Sequence, residues 1–472
     1  MAADQRSRTE TSRRSYMKAA GVTALSTAFV GTGSAVSSDI EDQYGTVIDV
    51  TNEGADPNGN ESITPIIEEL ADDDTLLKFP SGEYYIDKRV RVTNCENFGM
   101  IGDDATLVPA SFDDFDDSGD WNYKLFRLGV DYDPVTDLRV ENFTVDMTAD
   151  NTGVRVIEAA ADDGMIIRDI DIVGVHDSGA WGPGRFVITD SDGSGLVERF
   201  KAPDGAVKTE NAPGDELRWG PTGILSNTNR GTMTFRDCHL GGFPDNGLYA
   251  SHGSGSIQII RGHFENSAGA NVRIGGKKSK IIGTKIIVDE ETNLDDRAQV
   301  GLEFEDGEWV AGKNLDIRVS DPTSPAVWVD SSTDITHLNG SSIEVQTQDP
   351  ATAISIRPGT GKTFIQRSDI THETGGGAAV KIKEGGVGVT FRESSVVGTA
   401  ETEGYYSAIH NNRDDCDFLN LNVNHGDDSG RHALTTTGND CIISGGTYIS
   451  KSEPIVERGD GTRINDVETR TQ

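Results

Sequence analysis

Between Asn142 and Gly445 the chain repeats one hydrophobic phrase ten times: apolar, any, apolar, any, small or polar, any, any, apolar. Most repeats are 22 to 27 residues apart, and two steps are longer, at 57 and 68 residues. A strand-built repeat of this length predicts a solenoid in which each coil packs on its neighbours. The fifth position of the phrase is occupied in turn by Asn142, Asp169, Asp237, Arg261, Gly283, Gly340, Arg367, Glu393, Asn420 and Gly445.

A second strand motif follows each phrase after a short gap: small, apolar, any, apolar. Alternation along a strand turns the two apolar residues inward and the third residue outward. Stacked coils then bring the third residues into one line, with neighbours about 4.8 Å apart. We call this line the outward column, and its predicted members are Tyr249, Arg273, Glu303, Trp328, Ser355, Lys381, His410 and Thr435.

Before the repeats, residues 45–90 are predicted to form a cap and a first coil. Thr64 and Pro65 are suited to the N-cap and first position of a short helix. Residues 76–86 alternate as strand, turn and strand.

Residues 54–56 (Gly-Ala-Asp), the acidic helix and Phe79-Pro80-x-Gly82-x-Tyr84 resemble the opening of pectate-lyase-superfamily proteins. In rhythm and in phrases such as 245–249 and 271–275, the coils are similar to exported β-helix proteins of salt-loving archaea. The resemblance implies an all-β fold: a single-stranded right-handed parallel β-helix. We expect roughly 12–14 coils, with a short N-terminal capping helix.

The domain boundaries follow from these patterns. Residues 1–36 form an export segment, 45–90 the cap and first coil, and 91–465 the β-helix. The rhythm is interrupted at 178–221, which we predict to be a loop insertion; long loops in compact proteins are more often functional than idle.

The net charge of −36 is carried by acidic residues spread through every coil. This distribution indicates adaptation to high salt, and it excludes nucleic-acid binding, which requires a basic patch. The N-terminal 36 residues are basic instead, and Arg13 and Arg14 precede a mild apolar run at 19–30. They resemble a twin-arginine export signal, and the run is too short for a membrane span. We expect an extracellular protein, free or loosely attached to the cell surface, and a monomer or small homo-oligomer.

Cys416 and Cys441 both occupy the first position of the phrase, one coil apart. They are predicted to stack above one another. A disulfide and a buried ladder of thiols both remain open.

The outward column is unusual for so acidic a protein because it holds two aromatic residues, two bases, a histidine and one acid. Aromatic planes suit the apolar faces of sugar rings, as Tyr249 and Trp328 would. Arg273 and Lys381 suit the carboxylates of uronate sugars. The alternative is a cross-strand ladder in which Arg273 pairs with Glu303.

Two chemistries fit such a groove. Hydrolysis needs a carboxylic acid and a carboxylate, from Asp245, Glu303 and Glu305. β-Elimination from a uronate needs a base and a cation, from Arg273, His252 or Lys277. Pectate-lyase relatives use arginine as the base, together with calcium. The set of catalytic motifs typical of polygalacturonases is absent from this sequence, and residues 273–275 match only part of one of them.

The sequence therefore predicts a secreted lyase or hydrolase acting on an acidic, uronate-containing polysaccharide. A uronate epimerase and a non-catalytic glycan-binding, adhesin-like solenoid are the alternatives. No metal ligands are predicted; calcium is the one cofactor left open, since the loop at 190–195 begins like a calcium site but lacks its twelfth-position carboxylate. The candidate catalytic residues are Asp245, His252, Arg273 and Glu303. The candidate substrate-binding residues are Asn246, Tyr249, Glu305, Trp328, Lys381, His410 and Trp181.

Overall fold

The computed structural model describes residues 38–115, 123–177, 181–207, 220–290, 298–321, 324–400, 407–425 and 430–472. The chain is an all-β, right-handed parallel β-helix of about 13 turns, which confirms the predicted fold class. Within the described residues, no helix is long and apolar enough to cross a membrane.

In the part of the chain that the structure describes, the helical content is small and lies at the N-terminal end: α1 (Ser38–Glu41), a 3-10 helix (Val50–Glu53) and α2 (Thr64–Leu70). Helix α2 is the predicted capping helix, and its Ile67 is buried in the core. The predicted N-cap was wrong by one residue: Ile63 holds that position, without a side-chain cap. The Thr64 hydroxyl instead donates to the carbonyl of Lys88 at 3.0 Å, which ties the helix to the first coil.

Across the described residues, two sheets of parallel strands form the wall of the solenoid. The larger has 26 strands. They are β1 (Thr46–Asp49), β2 (Asn58–Ser62), β3 (Thr75–Phe79), β4 (Gly82–Ile86), β6 (Glu96–Pro109), β8 (Thr136–Asp146), β10 (Met165–Val173), β12 (Ser194–Ala202), β14 (Thr232–Arg236), β15 (His239–Leu240), β17 (Ser256–Ile260), β18 (His263–Glu265), β20 (Ser279–Ile282), β21 (Lys285–Val288), β23 (Val310–Lys313), β24 (Asp316–Val319), β26 (Ile335–Asn339), β27 (Ser342–Gln346), β29 (Lys362–Gln366), β30 (Asp369–Glu373), β32 (Thr390–Arg392), β33 (Ser395–Val397), β35 (Asp417–His425), β37 (Ile442–Ser450), β39 (Arg463–Asn465) and β40 (Glu468–Thr471).

The second sheet has 14 strands and carries the outward column. They are β5 (Val90–Val92), β7 (Lys124–Leu128), β9 (Arg155–Ala161), β11 (Gly184–Ile188), β13 (Ile224–Leu225), β16 (Leu248–Ala250), β19 (Ala270–Gly276), β22 (Val300–Gly307), β25 (Val327–Val329), β28 (Ile354–Ile356), β31 (Val380–Ile382), β34 (Ser407–Asn411), β36 (His432–Thr436) and β38 (Ile455–Glu457). Apolar side chains from both sheets meet inside the coils and form one continuous core.

The fifth position of the repeat is a corner of the coil. All ten predicted residues have φ between 49° and 66°, the left-handed conformation. This region favours glycine and, after it, Asn and Asp, which explains the preference for small or polar residues there. Arg199 and Asn314 adopt the same conformation and fill the two long steps. Each long step is therefore two coils.

The described part of the predicted insertion at 178–221 contains two strands. Residues 184–188 form β11 and residues 194–202 form β12, so its centre is a complete coil. The coil escaped the sequence pattern because Gly195 occupies the first, normally apolar, position of the phrase. Residues 178–180 and 208–219 of the insertion lie outside the described residues.

Cys416 and Cys441 lie side by side in register, next to the paired Asp417 and Ile442. Both are buried and both are free thiols. Of the two alternatives, the structure has the thiol ladder.

Two neighbouring glycines test the corner geometry. A Cβ at Gly262, where φ is 92°, would lie 2.7 Å from the carbonyl oxygen of Cys238. At Gly283, where φ is 63°, the nearest atom would be a side-chain carbon of Arg261 at 3.8 Å. We expect Gly283→Ala to lower the free energy of unfolding by about 1 kcal/mol. Gly262→Ala should cost about 1–3 kcal/mol more because backbone must move. Urea denaturation at fixed high salt measures both, and equal losses would contradict this geometry.

Candidate functional site

The outward column exists in the predicted register. Each member from Tyr249 to Thr435 pairs with the next along the 14-stranded sheet. The column also continues toward the N-terminus beyond the predicted residues, through Leu225, Arg185, Glu158, Arg127 and Arg91.

A β-bulge shapes the centre of the column. Between β19 and β22 the register shifts, so that two residues, Glu305 and Asp306, oppose the single residue Gly275. A Cβ at Gly275 would lie 2.0 Å from the carbonyl oxygen of Glu305, so glycine is required there. Bulges re-aim side chains next to functional sites. This one turns Glu305 toward the arginine on the neighbouring strand.

Arg273 is held from two sides at this bulge. Its Nε donates to Oε2 of Glu305 at 2.6 Å, and a second guanidinium nitrogen donates to Oε1 of the same carboxylate. Its guanidinium carbon lies 4.6 Å from the centre of the Tyr249 ring, a cation–π contact. The predicted ladder alternative therefore exists in changed form, because the bidentate partner of Arg273 is Glu305. Glu303 lies farther away, with Oε2 at 3.6 Å from Nε.

His252 closes the same cluster. Its Nε2 lies 3.2 Å from Oε2 of Glu305, and its ring meets Tyr249 edge to face at 5.9 Å. The residue has φ of 63°, the left-handed conformation that many corner residues of this chain also adopt. Ser251 adds a hydroxyl donor to Glu305 at 2.9 Å. Arg273, His252 and Ser251 together occupy both oxygens of Glu305, which marks Glu305 as the residue that positions the others.

Glu303 differs from Glu305. Charged residues lie near its carboxyl group, but they offset little of the cost of burying a carboxylate. Its side chain is 16% exposed. Burial is the largest influence and raises the pKa of the Glu303 carboxyl to about 7. The positive charge of Arg273 opposes this rise in pKa, and the negative charges of Glu305 and Asp330 add to it. A carboxyl group with a pKa near 7 can give or take a proton under neutral conditions.

The strands carry a second outward position, two residues after the column. Backbone hydrogen bonds continue the ladder through Asp330, Arg357 and Lys383 after the strands end. Asp330 and Arg357 contribute to the site and were missed from the sequence. Their signal was available: they follow Trp328 and Ser355 by two residues, and alternation returns such a residue to the same face.

Asp330 is the ionised counterpart of Glu303. Burial raises the pKa of Asp330, but hydrogen bonds from the backbone N–H and hydroxyl of Ser332, with the charge of Arg357, outweigh burial and lower it. Both bonds reach Oδ1 of Asp330, at 3.0 Å and 2.9 Å. Its Oδ2 lies 3.9 Å from a guanidinium nitrogen of Arg357. The guanidinium of Arg357 also covers one face of the Trp328 ring, at 4.5 Å from its centre.

Asp245 and Asn246 precede β16 and occupy different environments. The Thr222 hydroxyl donates to Oδ2 of Asp245 at 2.6 Å, and the Asp245 charge acts on Tyr249. Asn246 is buried, and its side-chain oxygen accepts from the backbone N–H of Ala270 at 2.9 Å. The amide oxygen of Asn246, a predicted substrate-binding residue, thus holds two coils together.

Three predicted residues lie away from this cluster. Lys381 and His410 adjoin each other three and four coils beyond Glu303, roughly 14–19 Å along the column. Burial lowers the pKa of His410, and the charge of Lys381 lowers it further. Trp181 lies against Arg155 near the N-terminal end of the column, with its ring 5.3 Å from the guanidinium carbon.

One donor set in the described part of the chain has metal-ligand character. Side-chain atoms of His239, His263 and Glu265 on the 26-stranded sheet all lie within 4.8 Å of one another. Two imidazoles and a carboxylate suit Zn²⁺ or a similar transition metal. The predicted calcium-like loop behaves differently: Oδ1 of Asp190 accepts the backbone N–H of Asp192 at 2.9 Å, which makes a turn between strands.

The similarities of this chain to known proteins are distant. No protein-family model matches the sequence, and no curated protein matches it. Among solved structures, the chain is similar to the surface adhesin PfbA of Streptococcus pneumoniae, with 11% identity, a TM-score of 0.41 and coverage of 90% of this chain and 92% of that one. The chain is also similar to the A-module of the mannuronan C-5 epimerase AlgE4 of Azotobacter vinelandii, with 12% identity, a TM-score of 0.33 and coverage of 90% of this chain and 96% of that one. The similarity to ORF18 of Geobacillus virus E2 has 12% identity and a TM-score of 0.37. It covers 79% of this chain and 61% of that one. No activity follows from similarities this distant.

Proposed function

We propose that this protein is an inverting glycoside hydrolase that cleaves a uronate-containing polysaccharide lying along the outward column. The observation that carries the proposal is the pair of carboxyl groups with opposite pKa shifts: Glu303 raised to about 7 and Asp330 lowered. Such a pair assigns an acid and a base. Glu303 is the general acid and Asp330 is the base.

The strand positions of the pair allow the wide carboxyl separation that inversion of configuration requires. Glu303 faces Trp328 on the next strand, and Asp330 follows Trp328 by two residues. The backbone positions of diagonal neighbours on adjacent strands are about 7–8 Å apart. Inverting hydrolases separate their two carboxyl groups by about 6.5–9.5 Å to leave room for water.

In the reaction, Glu303 gives its proton to the glycosidic oxygen as the bond from the sugar C1 to that oxygen breaks. A water molecule adds to C1 from the opposite face and loses a proton to Asp330. Arg273 and Arg357 flank the pair and supply positive charge for uronate carboxylates. Glu305 holds Arg273 in place.

We also propose that the protein acts outside the cell, on the strength of the twin-arginine resemblance in the N-terminal 36 residues. That segment lies outside the described residues. The polymer is then an extracellular or cell-wall polysaccharide, in line with a groove open along one face of the solenoid.

Purified protein in high salt with polygalacturonate or alginate tests the activity. We expect new reducing ends without an absorbance increase from unsaturated sugars, and a first product with inverted anomeric configuration by NMR. An absorbance increase would mean β-elimination, with Tyr249, His252 and Arg273 as the reacting set. Binding without product would instead support the adhesin-like alternative, for which the bidentate hold on Arg273 is the favouring observation.

A further inference from the structure

A second charged cluster lies at the N-terminal part of the column, and the proposed hydrolysis does not use it. We call it the cationic cluster: Lys124, Arg127, Arg155 and Arg185 around the carboxylate of Glu158. Oε2 of Glu158 lies 2.8 Å from Nζ of Lys124 and 3.1 Å from a guanidinium nitrogen of Arg155. Oε1 lies 3.1 Å from Nε of Arg127. Among the described residues, one carboxylate thus faces three cations.

This imbalance is buried. The side chains of Arg155, Glu158 and Lys124 are 2%, 7% and 9% exposed. Burial lowers the pKa of Arg155 to about 10 and lowers that of Lys124 as well. Excess positive charge away from water is costly unless an anion compensates it.

The open side of the cluster lies on the column. Arg127 and Arg185 are 27% and 19% exposed, and Arg91, the next column residue, is exposed. Arg185 is held loosely: a guanidinium nitrogen lies 3.8 Å from Asp131, and it donates to the hydroxyl of Thr228 at 3.3 Å. A basic surface of this kind stands out in a chain with a net charge of −36.

The cluster is aligned with the central site. Arg185 pairs with Leu225, which pairs with Tyr249, so two strand steps, roughly 10 Å, separate them. A polymer that lies along the column at Glu303 also passes the cationic cluster.

We propose that the cationic cluster is an anion-binding site for a carboxylate or sulfate group, with Arg127 and Arg185 as the residues that reach the ligand. Guanidinium groups bind both oxyanions through paired N–H donors. The inference rests on the proposed function only in assigning the anion to a polysaccharide chain. A free inorganic oxyanion has the same chemistry and is the other source.

The test uses Arg127→Gln and Arg185→Gln in the full chain, because these side chains are partly exposed and the buried Lys124 and Arg155 are left intact. Arg318→Gln, on an exposed arginine of the 26-stranded sheet, is the matched control. Binding of polygalacturonate and of dextran sulfate is measured by calorimetry at fixed salt, with dextran as the neutral polymer. We expect each cluster variant to weaken binding of the charged polymers about 10-fold or more. The control should keep wild-type affinity.

A second arm distinguishes the source of the anion. The thermal midpoint is measured in sodium sulfate and in sodium chloride at equal ionic strength. A sulfate-specific rise that both cluster variants lose, with polymer affinity unchanged, would assign the site to a free oxyanion. If the variants match wild type in both arms, the cluster binds no anion and the proposal is wrong. Since binding is measured apart from turnover, a chain that cleaves nothing can still pass this test.

Discussion

We expect Glu303→Gln to lower the rate of the proposed polysaccharide hydrolysis by about 10²–10⁴-fold and to leave polymer binding largely unchanged. Glutamine keeps the shape of the side chain but has no proton to give to the leaving oxygen. Initial rates of reducing-end formation, together with calorimetric binding, measure the two effects. Glu373→Gln removes an exposed carboxylate from the 26-stranded sheet and serves as the control. A Glu303→Gln variant that cleaves at the wild-type rate would remove Glu303 from the mechanism.

The pH profile of the wild-type protein separates the two chemistries. Hydrolysis requires a protonated Glu303, whose pKa is about 7, and an ionised Asp330, whose pKa is lowered. The rate of hydrolysis should therefore fall as pH rises through about 7. β-Elimination by Tyr249, His252 and Arg273 does not need the Glu303 proton, so its rate should lack this fall.

Glu303→Gln should also raise the stability of the fold above neutral pH. The raised pKa means that the folded state holds the Glu303 proton more tightly than the unfolded state does. Stability is therefore lost as pH rises from about 4.5 to about 7, by about 3 kcal/mol in all. Glu303→Gln removes this loss, so it should exceed the wild type in free energy of unfolding at pH 8 and equal it near pH 4. Urea denaturation at both values checks this, and equal stability at pH 8 would mean that Glu303 ionises freely.

Much of the fold could be predicted from the sequence because the repeat obeys two simple constraints, one at the corners of the coil and one at the apolar positions of the strands. The corner must adopt a left-handed conformation, which limits it largely to Asn, Asp and Gly. Arginine and glutamate at Arg199, Arg261 and Glu393 show that the limit is not absolute. The coil that contains β12 was missed in the sequence because of Gly195 alone. A glycine in an apolar position interrupts the hydrophobic pattern, but it does not interrupt the strand.

The outward column was predictable for a related reason. Alternation in a strand depends only on backbone geometry, so it assigned every residue from Tyr249 to Thr435 to one face. The prediction stopped one alternation short: Asp330 and Arg357 lie after short strands, where the sequence resembles a loop. The bulge at Gly275 was also hidden, because a register shift depends on the neighbouring coil and not on local sequence.

Which residue pairs with which was the part that sequence could not give. Arg273 could have reached either Glu303 or Glu305, and the bulge decides for Glu305. That choice leaves Glu303 with less compensation for its burial, and so produces the raised pKa on which the proposed mechanism depends. In the proposed mechanism, small differences in side-chain direction thus decide which of two glutamates acts as the acid.

Glu158→Gln should cost about 3–5 kcal/mol of unfolding free energy at pH 7, because it leaves the cationic cluster without its carboxylate. Burial acts against ionisation, but the charges of Lys124 and Arg155 outweigh it and lower the pKa of Glu158 to about 2. The stabilisation by the ionised Glu158 carboxylate is thus present above about pH 4.5 and is lost as the pH falls toward 2. The gap between variant and wild type should narrow across that window in urea denaturation at constant high salt.

Two companions make the Glu158 result specific. Glu373→Gln should leave stability near the wild-type value, since its carboxylate is exposed. Lys124→Met in the Glu158→Gln background should recover part of the loss, because it removes one buried charge that has lost its partner. A double variant less stable than Glu158→Gln alone would show that Lys124 acts through packing. If the cluster binds an oxyanion, sulfate should also stabilise Glu158→Gln more than wild type, as it replaces the missing negative charge.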